Sequence, residues 1–159
     1  MSTLCTITPI TITKDNKAIR AILDSVDPKR NALGYKHNQF SIYYGAFLED
    51  DSLIGFSQFI EPNMETNEIL LATLAIHKSH QGQGIGSRLL NHSINNLQIK
   101  YPDLSTVRLI ATESSTDFYL QQGFIQNGSR LIKKLGKSNI TRQIENLLSS
   151  LRAEQNKKN

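Results

Sequence analysis

The stretch with the clearest chemical potential is QGQGIG, residues 81–86, in which every second residue is glycine. It lies between an apolar run that ends at Ile76 and a segment whose apolar residues recur at helical spacing. A glycine-rich loop that leads from a buried strand into a helix exposes unpaired backbone N–H groups at the positive end of the helix dipole. The Gln81 amide beside these groups could donate as well. The stretch therefore predicts an anion site suited to a pyrophosphate, and a tight turn without a ligand is the alternative interpretation.

Two common nucleotide sites do not fit this stretch. A P-loop requires a Lys-Ser/Thr pair after its last glycine, and no such pair follows a suitable glycine here. A dinucleotide fingerprint has the spacing G-x-G-x-x-G in an opening βαβ unit, whereas G-x-G-x-G occurs here after a predicted antiparallel hairpin. Nucleoside triphosphates and dinucleotides are therefore poor candidates for the ligand.

A few ionisable side chains could transfer protons. Tyr119, in the segment DFYLQQGF, carries a phenol that is protonated at neutral pH and could act as a general acid; a buried core aromatic is the alternative. Glu68 opens the apolar run, where burial could desolvate it, although a solvated charge at a strand end explains it nearly as well. His77 and His80 could relay protons, but we expect no metal site because no third ligand is near in sequence. Cys5 is the only cysteine, which excludes an intramolecular disulfide.

Hydrophobic periodicity predicts the elements that must position these residues. The predicted strands are 4–12, 40–48, 53–60, 69–76, 105–111, 124–125 and 130–135, and the predicted helices are 16–26, 85–97, 115–121 and 139–153. Thr13 or Asp15 is expected to cap the first helix, and Ser114 or Ser115 the third. The order β-α-β-β-β-α-β-α-β-β-α predicts a fold in the broad α/β class. Its one sheet is mixed, as in α+β proteins, and helices cover both faces.

Length, apolar pattern and charge limit the class of protein. A chain of 159 residues can form one domain with a real core. It has no apolar stretch near 18 residues, so we expect no membrane association. It also lacks a signal-peptide pattern, so we expect a cytoplasmic location. Residues 1–128 carry 10 Lys and Arg against 12 Asp and Glu, whereas residues 129–159 carry 8 against 2. The basic tail could contact nucleic acid, and a solvated helix face is the alternative.

Two motifs together resemble the GNAT superfamily of acyl-CoA-dependent N-acetyltransferases. The family pattern [Arg/Gln]-x-x-Gly-x-[Gly/Ala] is matched by Gln81, Gly84 and Gly86, and the pattern Phe-Tyr-x-x-x-Gly-Phe is matched by Phe118, Tyr119, Gly123 and Phe124. The motifs that resemble the family lie within residues 68–124. The order of helices and strands resembles that of the family over residues 3–135. The resemblance implies a GNAT-like domain over residues 1–136, with a sheet that splays between its fourth and fifth strands. Residues 137–159 would then form a C-terminal amphipathic helix and basic tail.

The resemblance also implies roles for individual residues, with acetyl-CoA as co-substrate and no metal. Backbone amides of the loop and helix start would hold the pyrophosphate of coenzyme A: Gln81, Gly82, Gln83, Gly84, Ile85, Gly86 and Ser87. The main chain of Leu74, Ala75 and Ile76 would pair with the pantetheine arm. Tyr119 would be the general acid, and Glu68 a base acting through water. The chain departs from the family at Gln81, where arginine is common, and at Thr112, where many members have an asparagine.

The sequence leaves the acceptor and the partners open. Glu61, Glu65 and Glu68 beside the implied acceptor cleft favour a cationic amine such as a polyamine, a lysine or an amino terminus, and a solvated acidic loop explains them equally well. Two other functions compete with a general N-acetyltransferase: a non-catalytic acyl-CoA-binding regulatory module, and an acetyltransferase acting on aminoacyl-tRNA held by the basic tail. The C-terminal helix could pack on the same chain or on a second subunit of a homodimer.

Overall fold

One mixed sheet of seven strands runs through the computed structural model, which describes residues 4–14, 16–27, 35–137 and 139–158. The strands are β1 Thr6–Ile10, β2 Ser41–Phe47, β3 Leu53–Asn63, β4 Glu68–Ile76, β5 Thr106–Leu109, β6 Ile125–Asn127 and β7 Arg130–Lys134. The helices are α1 Lys17–Val26, α2 Ile85–Lys100, α3 Thr116–Gln121 and α4 Asn139–Lys157, with a 3-10 turn at Lys78–His80. The observed order confirms the predicted α/β class and the predicted sequence of elements.

The sheet is open at one internal position, between β4 and β5. Its strand order is β1-β2-β3-β4-β5-β7-β6, and every neighbouring pair is antiparallel except β4 and β5. β4 pairs with β3 as far as Ile76, but with β5 only over its first three residues, Glu68 to Leu70. The β5-facing edge of residues 71–76 is therefore unpaired, which confirms the splay between the fourth and fifth strands. A bulge at Ala72 lies where this open edge begins.

Helices cover both faces of the sheet, as predicted. α2 packs Leu89, Leu90 and Leu97 on one face against a cluster that includes Phe59 and Val107, all of them fully buried. α1 packs Ile19, Ile22 and Leu23 on the other face against a smaller cluster that includes Phe56. Each buried leucine or isoleucine stabilises the fold by about 1.5–3 kcal/mol. This packing fixes α2, whose first turn follows the glycine loop directly.

The caps of α1 and α3 differ from the sequence predictions. Asn16 caps α1, because its side chain accepts a hydrogen bond from the Ile19 N–H at 3.0 Å; Thr13 lies too far upstream, and Asp15 lies outside the described residues. Ser115 is at the N-cap position of α3 but makes no capping hydrogen bond with its side chain. Its hydroxyl instead bonds the N–H and C=O of Thr112, at 3.1 and 3.2 Å. This local turn competes with the cap, as serine side chains often do.

α4 extends four residues beyond the predicted end, to Lys157. An ion pair between Lys137 and Glu145, 2.8 Å long, ties its start to the segment before it. Ile144, Leu147, Leu148 and Leu151 are 46–62% exposed, so the helix is amphipathic but its apolar face is uncovered in the single chain. The division of the chain after Gly136 stays a prediction. None of the helices in the described ranges has the length and apolarity that a membrane crossing requires.

Candidate active site

The glycine loop presents the start of α2 without a side-chain cap. Gly82 and Gly84 have φ angles of 78° and 77°, in the left-handed region that favours glycine, and a Cβ at either would meet no atom within 4 Å. Glycine is therefore required here by backbone conformation and not by crowding. Gly84 is the N-cap and supplies no side-chain bond, so the first N–H groups of this 16-residue helix have no intrahelical acceptor. Such a helix start is suited to bind an anion, and the anion site itself stays a prediction.

The loop is joined to the open end of β4 by side-chain and backbone contacts. The Gln81 side chain donates a hydrogen bond from Nε2 to the Ile76 carbonyl at 3.0 Å. One of the two amide hydrogens that we expected to serve a ligand is thus used to hold the loop on the strand. A Cβ on Gly86 would lie 3.6 Å from the Phe118 ring and 3.7 Å from Ile76, which is ordinary contact. The start of α2 therefore packs closely against both β4 and α3.

The open edge of β4 offers main-chain groups to an extended ligand. Leu74, Ala75 and Ile76 pair on one side with Ser57, Phe56 and Gly55 of β3, and no strand among the described residues pairs with them on the other side. Backbone N–H and C=O groups alternate between the two sides of a strand, so half of those in this stretch point into the gap. An extended amide chain can bind such an edge as an added strand. At the end of the edge, however, the Ile76 carbonyl is already bonded to Gln81.

The segment from Tyr119 to Phe124 forms a closed helix end that explains its sequence pattern. Gln122 is the C-cap of α3, and Gly123 follows with a φ of 90°. The Gly123 N–H donates to the Leu120 carbonyl and the Phe124 N–H to the Tyr119 carbonyl, each at 3.1 Å. These two bonds define a Schellman motif, and the accompanying apolar contact is the edge-to-face pair of Tyr119 and Phe124, whose ring centroids are 5.5 Å apart. The motif thus fixes the position of Tyr119.

Tyr119 combines a buried ring with an accessible hydroxyl. Its side chain is flanked by Phe118 and Phe124, the residue is only 8% exposed, and burial raises the pKa of the Tyr119 phenol to about 12. The described residues provide no hydrogen-bond partner for its Oη, yet no fully buried polar side-chain atom among them lacks a partner. The hydroxyl must therefore retain some accessible surface. A phenol held protonated and unpaired is suited to donate a proton.

Three polar residues join α2, α3 and β7. The sequence analysis did not connect them. The Ser87 hydroxyl donates to Gln122 Oε1 at 2.7 Å, and Lys133 Nζ donates to the Gln122 carbonyl at 2.8 Å. Lys133 also lies over the Phe124 ring at 5.9 Å, and its burial lowers the pKa of the ammonium group. These contacts hold the helix end that carries Tyr119 against the start of α2. No sequence signal could have revealed the two hydrogen bonds, because they join residues 35 and 11 positions apart.

Glu68 lies at the other end of β4, in the part that pairs with β5. Its Oε2 is 3.8 Å from Nε of Arg108, and the two side chains are 37% and 36% exposed. The carboxylate is therefore solvated and paired, not desolvated as the apolar run had suggested. It stands three residues before the open edge begins at Leu71, which corresponds to about 10 Å along a strand. Glu61 and Glu65 are exposed.

The remaining candidates are engaged in local contacts. His77 Nδ1 accepts a hydrogen bond from the Ser79 N–H at 3.2 Å, within the 3-10 turn. In the ranges that the structure describes, no group of three or more His, Cys, Asp or Glu side chains comes together as metal ligands would. Thr112 is exposed and bonds the Ser115 hydroxyl at 2.9 Å. It belongs to its own turn in this structure.

Comparisons with known proteins agree with this geometry. A family model of the acetyltransferase (GNAT) domain matches residues 39–126, more than half of the chain. Curated protein sequences give no significant match. Among solved structures, the PaiA N-acetyltransferase of Thermoplasma acidophilum in complex with coenzyme A is 19% identical, covers 82% of this chain and 99% of its own, and has a TM-score of 0.61.

Two further structures are similar over more of the chain. AtaT complexed with acetyl-methionyl-tRNAfMet is 20% identical, with coverage of 91% of this chain and 99% of its own and a TM-score of 0.60. AtaTR bound with acetyl-CoA is 24% identical, with coverage of 91% and 98% and a TM-score of 0.62. At these identities the likeness shows the fold.

Proposed function

The chain belongs to the GNAT family of acetyltransferases, and on that premise we propose that it transfers the acetyl group of acetyl-CoA to a primary amine. One observation carries the proposal: the unpaired edge of β4 leads, through the 3-10 turn and the glycine loop, into the uncapped start of α2. Such a site suits a ligand that has both an extended amide chain and a pyrophosphate. Solved relatives in complex with coenzyme A and with acetyl-CoA support this choice.

The backbone would provide the binding. The N–H groups at the start of α2, over residues 84–87, would hold the pyrophosphate with the help of the helix dipole. Main-chain groups of Leu74 would pair with the pantetheine arm along the open edge. Those of Ala75 face β3 instead, because hydrogen-bonded pairs alternate along the ladder and the His77 N–H, two residues on, bonds β3. Gly82 and Gly84 would keep the approach to the loop free of side chains. The co-substrate would supply an activated acetyl thioester, and no metal is needed for its transfer.

Two side chains would move the protons. An alkylammonium group has a pKa of about 10, so a base must remove a proton before the nitrogen can attack. Glu68 would accept this proton through water, because it stands about 10 Å before the open edge. As the C–N bond forms and the C–S bond breaks, Tyr119 would donate its phenolic proton to the departing thiolate, and the nitrogen of the new amide would release its second proton to water. Solvent would then return a proton to Tyr119 through its accessible hydroxyl.

The test follows the release of coenzyme A thiol from acetyl-CoA with a panel of polyamines, lysine peptides and amino-terminal peptides. For Tyr119→Phe we expect kcat to fall about 100-fold or more, with little change in the KM for acetyl-CoA. Because burial raises the pKa of Tyr119 to about 12, the acid form persists well above neutrality, and the ratio of the two rates should stay constant from pH 6 to pH 10. Tyr101→Phe, which removes a phenol elsewhere, is the control.

The result distinguishes the competing functions. If acetyl-CoA produced no thermal shift, the assignment of the glycine loop to coenzyme A would be wrong. If it bound but no amine were acetylated, a non-catalytic acyl-CoA-binding module would replace the proposal. If Tyr119→Phe turned over like the wild type, only the assigned acid would fail.

A second candidate acceptor is the amino group of an aminoacyl-tRNA. The specific support is that AtaT, solved with acetyl-methionyl-tRNAfMet, covers 91% of this chain, against 82% for the PaiA structure. Residues 129–159 are also strongly basic, with 8 Lys and Arg against 2 Glu. Charged tRNA therefore belongs in the amine panel. Activity on it that exceeds activity on the free amino acid would favour this acceptor.

A further inference from the structure

A groove lies between the second half of α2 and residues 133–137, at the end of β7 and just after it. Its volume is about 250 Å³. Four cationic residues and three amide residues line it, together with Ile94, Leu135 and Gly136, and no acidic residue does: Lys133, Lys134, Lys137, Arg142, Asn91, Asn95 and Gln98. A groove rich in donors and free of acidic groups is suited to an anion.

The cations in this groove are not all equally available. Lys133 donates to the Gln122 carbonyl, and Lys137 is paired with Glu145 at 2.8 Å. Lys134 is exposed and makes only a long contact, 3.5 Å, with the Thr106 hydroxyl. For Lys134 and Arg142, no carboxylate of the described residues lies within ion-pair distance. These two side chains are therefore the charges that a ligand can reach.

The walls of the groove are fixed before any ligand binds. Gln98, which is 8% exposed, donates from Nε2 to the Gly136 carbonyl at 2.7 Å and so ties α2 to the segment after β7. The guanidinium of Arg142 would be 3.1 Å from a Cβ on Gly136, so a larger residue there would displace it. Asn91, Asn95 and Gln98 follow one another on one face of α2. The donors thus project from two elements held at a fixed separation.

We propose that this groove binds the phosphodiester backbone of an RNA that carries the acceptor amine. The proposal rests on the proposed acetyl transfer, and it adds the class of acceptor and the surface that holds it. Lys133 lines the groove and also bonds the helix end that carries Tyr119, so the groove adjoins the reaction site. A small amine could not contact both places, whereas a polymer could. A uniformly charged polyanion also fits the concentration of basic residues beyond position 128.

The experiment measures binding of fluorescently labelled, uncharged tRNA to the full chain at 50 to 300 mM salt. Each phosphate contact contributes about 0.7–0.9 to the slope of log K against log salt, which is roughly fourfold to fivefold in affinity near 0.15 M. We expect Lys134→Gln with Arg142→Gln to weaken binding about 20-fold and to reduce the slope by about 2. Arg152→Gln with Lys157→Gln removes the same charge from α4 outside the groove, and we expect a change below threefold.

Three outcomes would overturn the proposal. Equal losses in the two double variants would mean diffuse attraction to the basic tail. A preference of the wild type for phosphatidylglycerol vesicles over tRNA, lost in the groove variant, would assign the groove to a membrane surface. A higher KM for acetyl-CoA in the groove variant, with tRNA binding unchanged, would make it part of the coenzyme A site. Thermal shifts with acetyl-CoA, measured on the same samples, separate these failures from failure of the acetyltransferase proposal.

Discussion

The two ends of β4 are built in opposite ways. At the carboxyl end, the strand has lost its β5 neighbour, and the contacts available to a ligand come from main-chain groups and from two glycines with positive φ. At the amino end, the same strand is paired on both sides, and the available groups are the side chains of Glu68 and Arg108. Under the proposed function, the carboxyl end would bind the extended co-substrate, and Glu68 at the amino end would accept the proton of the acceptor amine. The contrast separates recognition by backbone from chemistry by side chains.

The contrast also explains why Tyr119 comes from a different element. The open end of β4 has no ionisable side chain among residues 71–76, so an acid has to be supplied by a neighbouring element. Under the proposed mechanism α3 would supply it, because Phe118 packs near Gly86 and the Schellman motif fixes Tyr119 beside it. The rigidity of this short helix comes from its closed carboxyl end and not from its length, since six residues alone would not form a stable helix.

The largest expected effect tests the amino end of the strand. For Glu68→Gln we expect kcat to fall about 100-fold at pH 7 with an unchanged KM for acetyl-CoA, because the amide cannot accept the proton of the acceptor ammonium. The ion pair with Arg108 is more than one third exposed, so its loss should change the free energy of unfolding by less than about 1 kcal/mol. Steady-state kinetics and thermal unfolding measure the two quantities.

Glu61→Gln is the matched control for this prediction, since it removes an exposed carboxylate from the neighbouring strand. We expect it to leave kcat within twofold of the wild type. A Glu68→Gln enzyme that retained a third or more of its kcat would place the base elsewhere. The proposal that the amino end of β4 supplies the base would then be wrong.

The next effect tests the backbone at the carboxyl end. Gly84→Ala forces a residue with a Cβ into a φ of 77°, which costs about 1–2 kcal/mol, and relief of that strain would rotate the first N–H groups of α2 away from the ligand. We expect acetyl-CoA to bind about 10- to 30-fold more weakly by calorimetry. Gly128→Ala is matched, because Gly128 also has a positive φ and open space around it but lies in the β6–β7 turn. We expect Gly128→Ala to lose stability without losing affinity for acetyl-CoA.

The two glycine variants together show whether conformation or only stability matters at the loop. Both should lower the melting temperature by a few degrees, at about 2–4 °C per kcal/mol. If Gly84→Ala bound acetyl-CoA as tightly as Gly128→Ala did, the uncapped start of α2 would not be the pyrophosphate site. The assignment of binding to the carboxyl end would then be wrong.

The sequence was sufficient to predict features that depend on neighbouring residues. The alternation and apolar runs gave the order of the elements, and Gly123 marked the end of α3 because a left-handed residue is needed after a helix C-cap. Caps were harder, since Thr13, Asp15 and Asn16 all have side chains that can cap a helix and only the register of the first turn selects Asn16. The splay itself was implied by the family resemblance and not by periodicity.

Features that depend on long-range register could not be predicted. The sequence left open whether Glu68 is desolvated or a solvated charge at a strand end; the parallel pairing of β4 with β5 places Arg108 near it and leaves both side chains partly exposed. The Gln81 amide was expected to serve the ligand, but the path of the loop brings it onto the Ile76 carbonyl. The first outcome depends on where another strand passes, which no local pattern encodes. The second joins residues five positions apart, and it depends on the path that the loop takes after Ile76.

The smallest expected effect distinguishes the role of the Ser87 side chain from that of the Ser87 backbone. Its N–H belongs to the first turn of α2, whereas its hydroxyl donates to Gln122 Oε1 at the end of α3. For Ser87→Ala we expect the affinity for acetyl-CoA to stay within twofold, because the N–H remains. The kcat should fall roughly fivefold, because loss of a hydrogen bond worth about 1 kcal/mol loosens the helix end that carries Tyr119. A cycle with Gln122→Ala should show a coupling of similar size. A tenfold rise in the KM for acetyl-CoA with unchanged kcat would instead mean that the hydroxyl contacts the ligand, and side chains as well as backbone would then contribute to binding at the open end of β4.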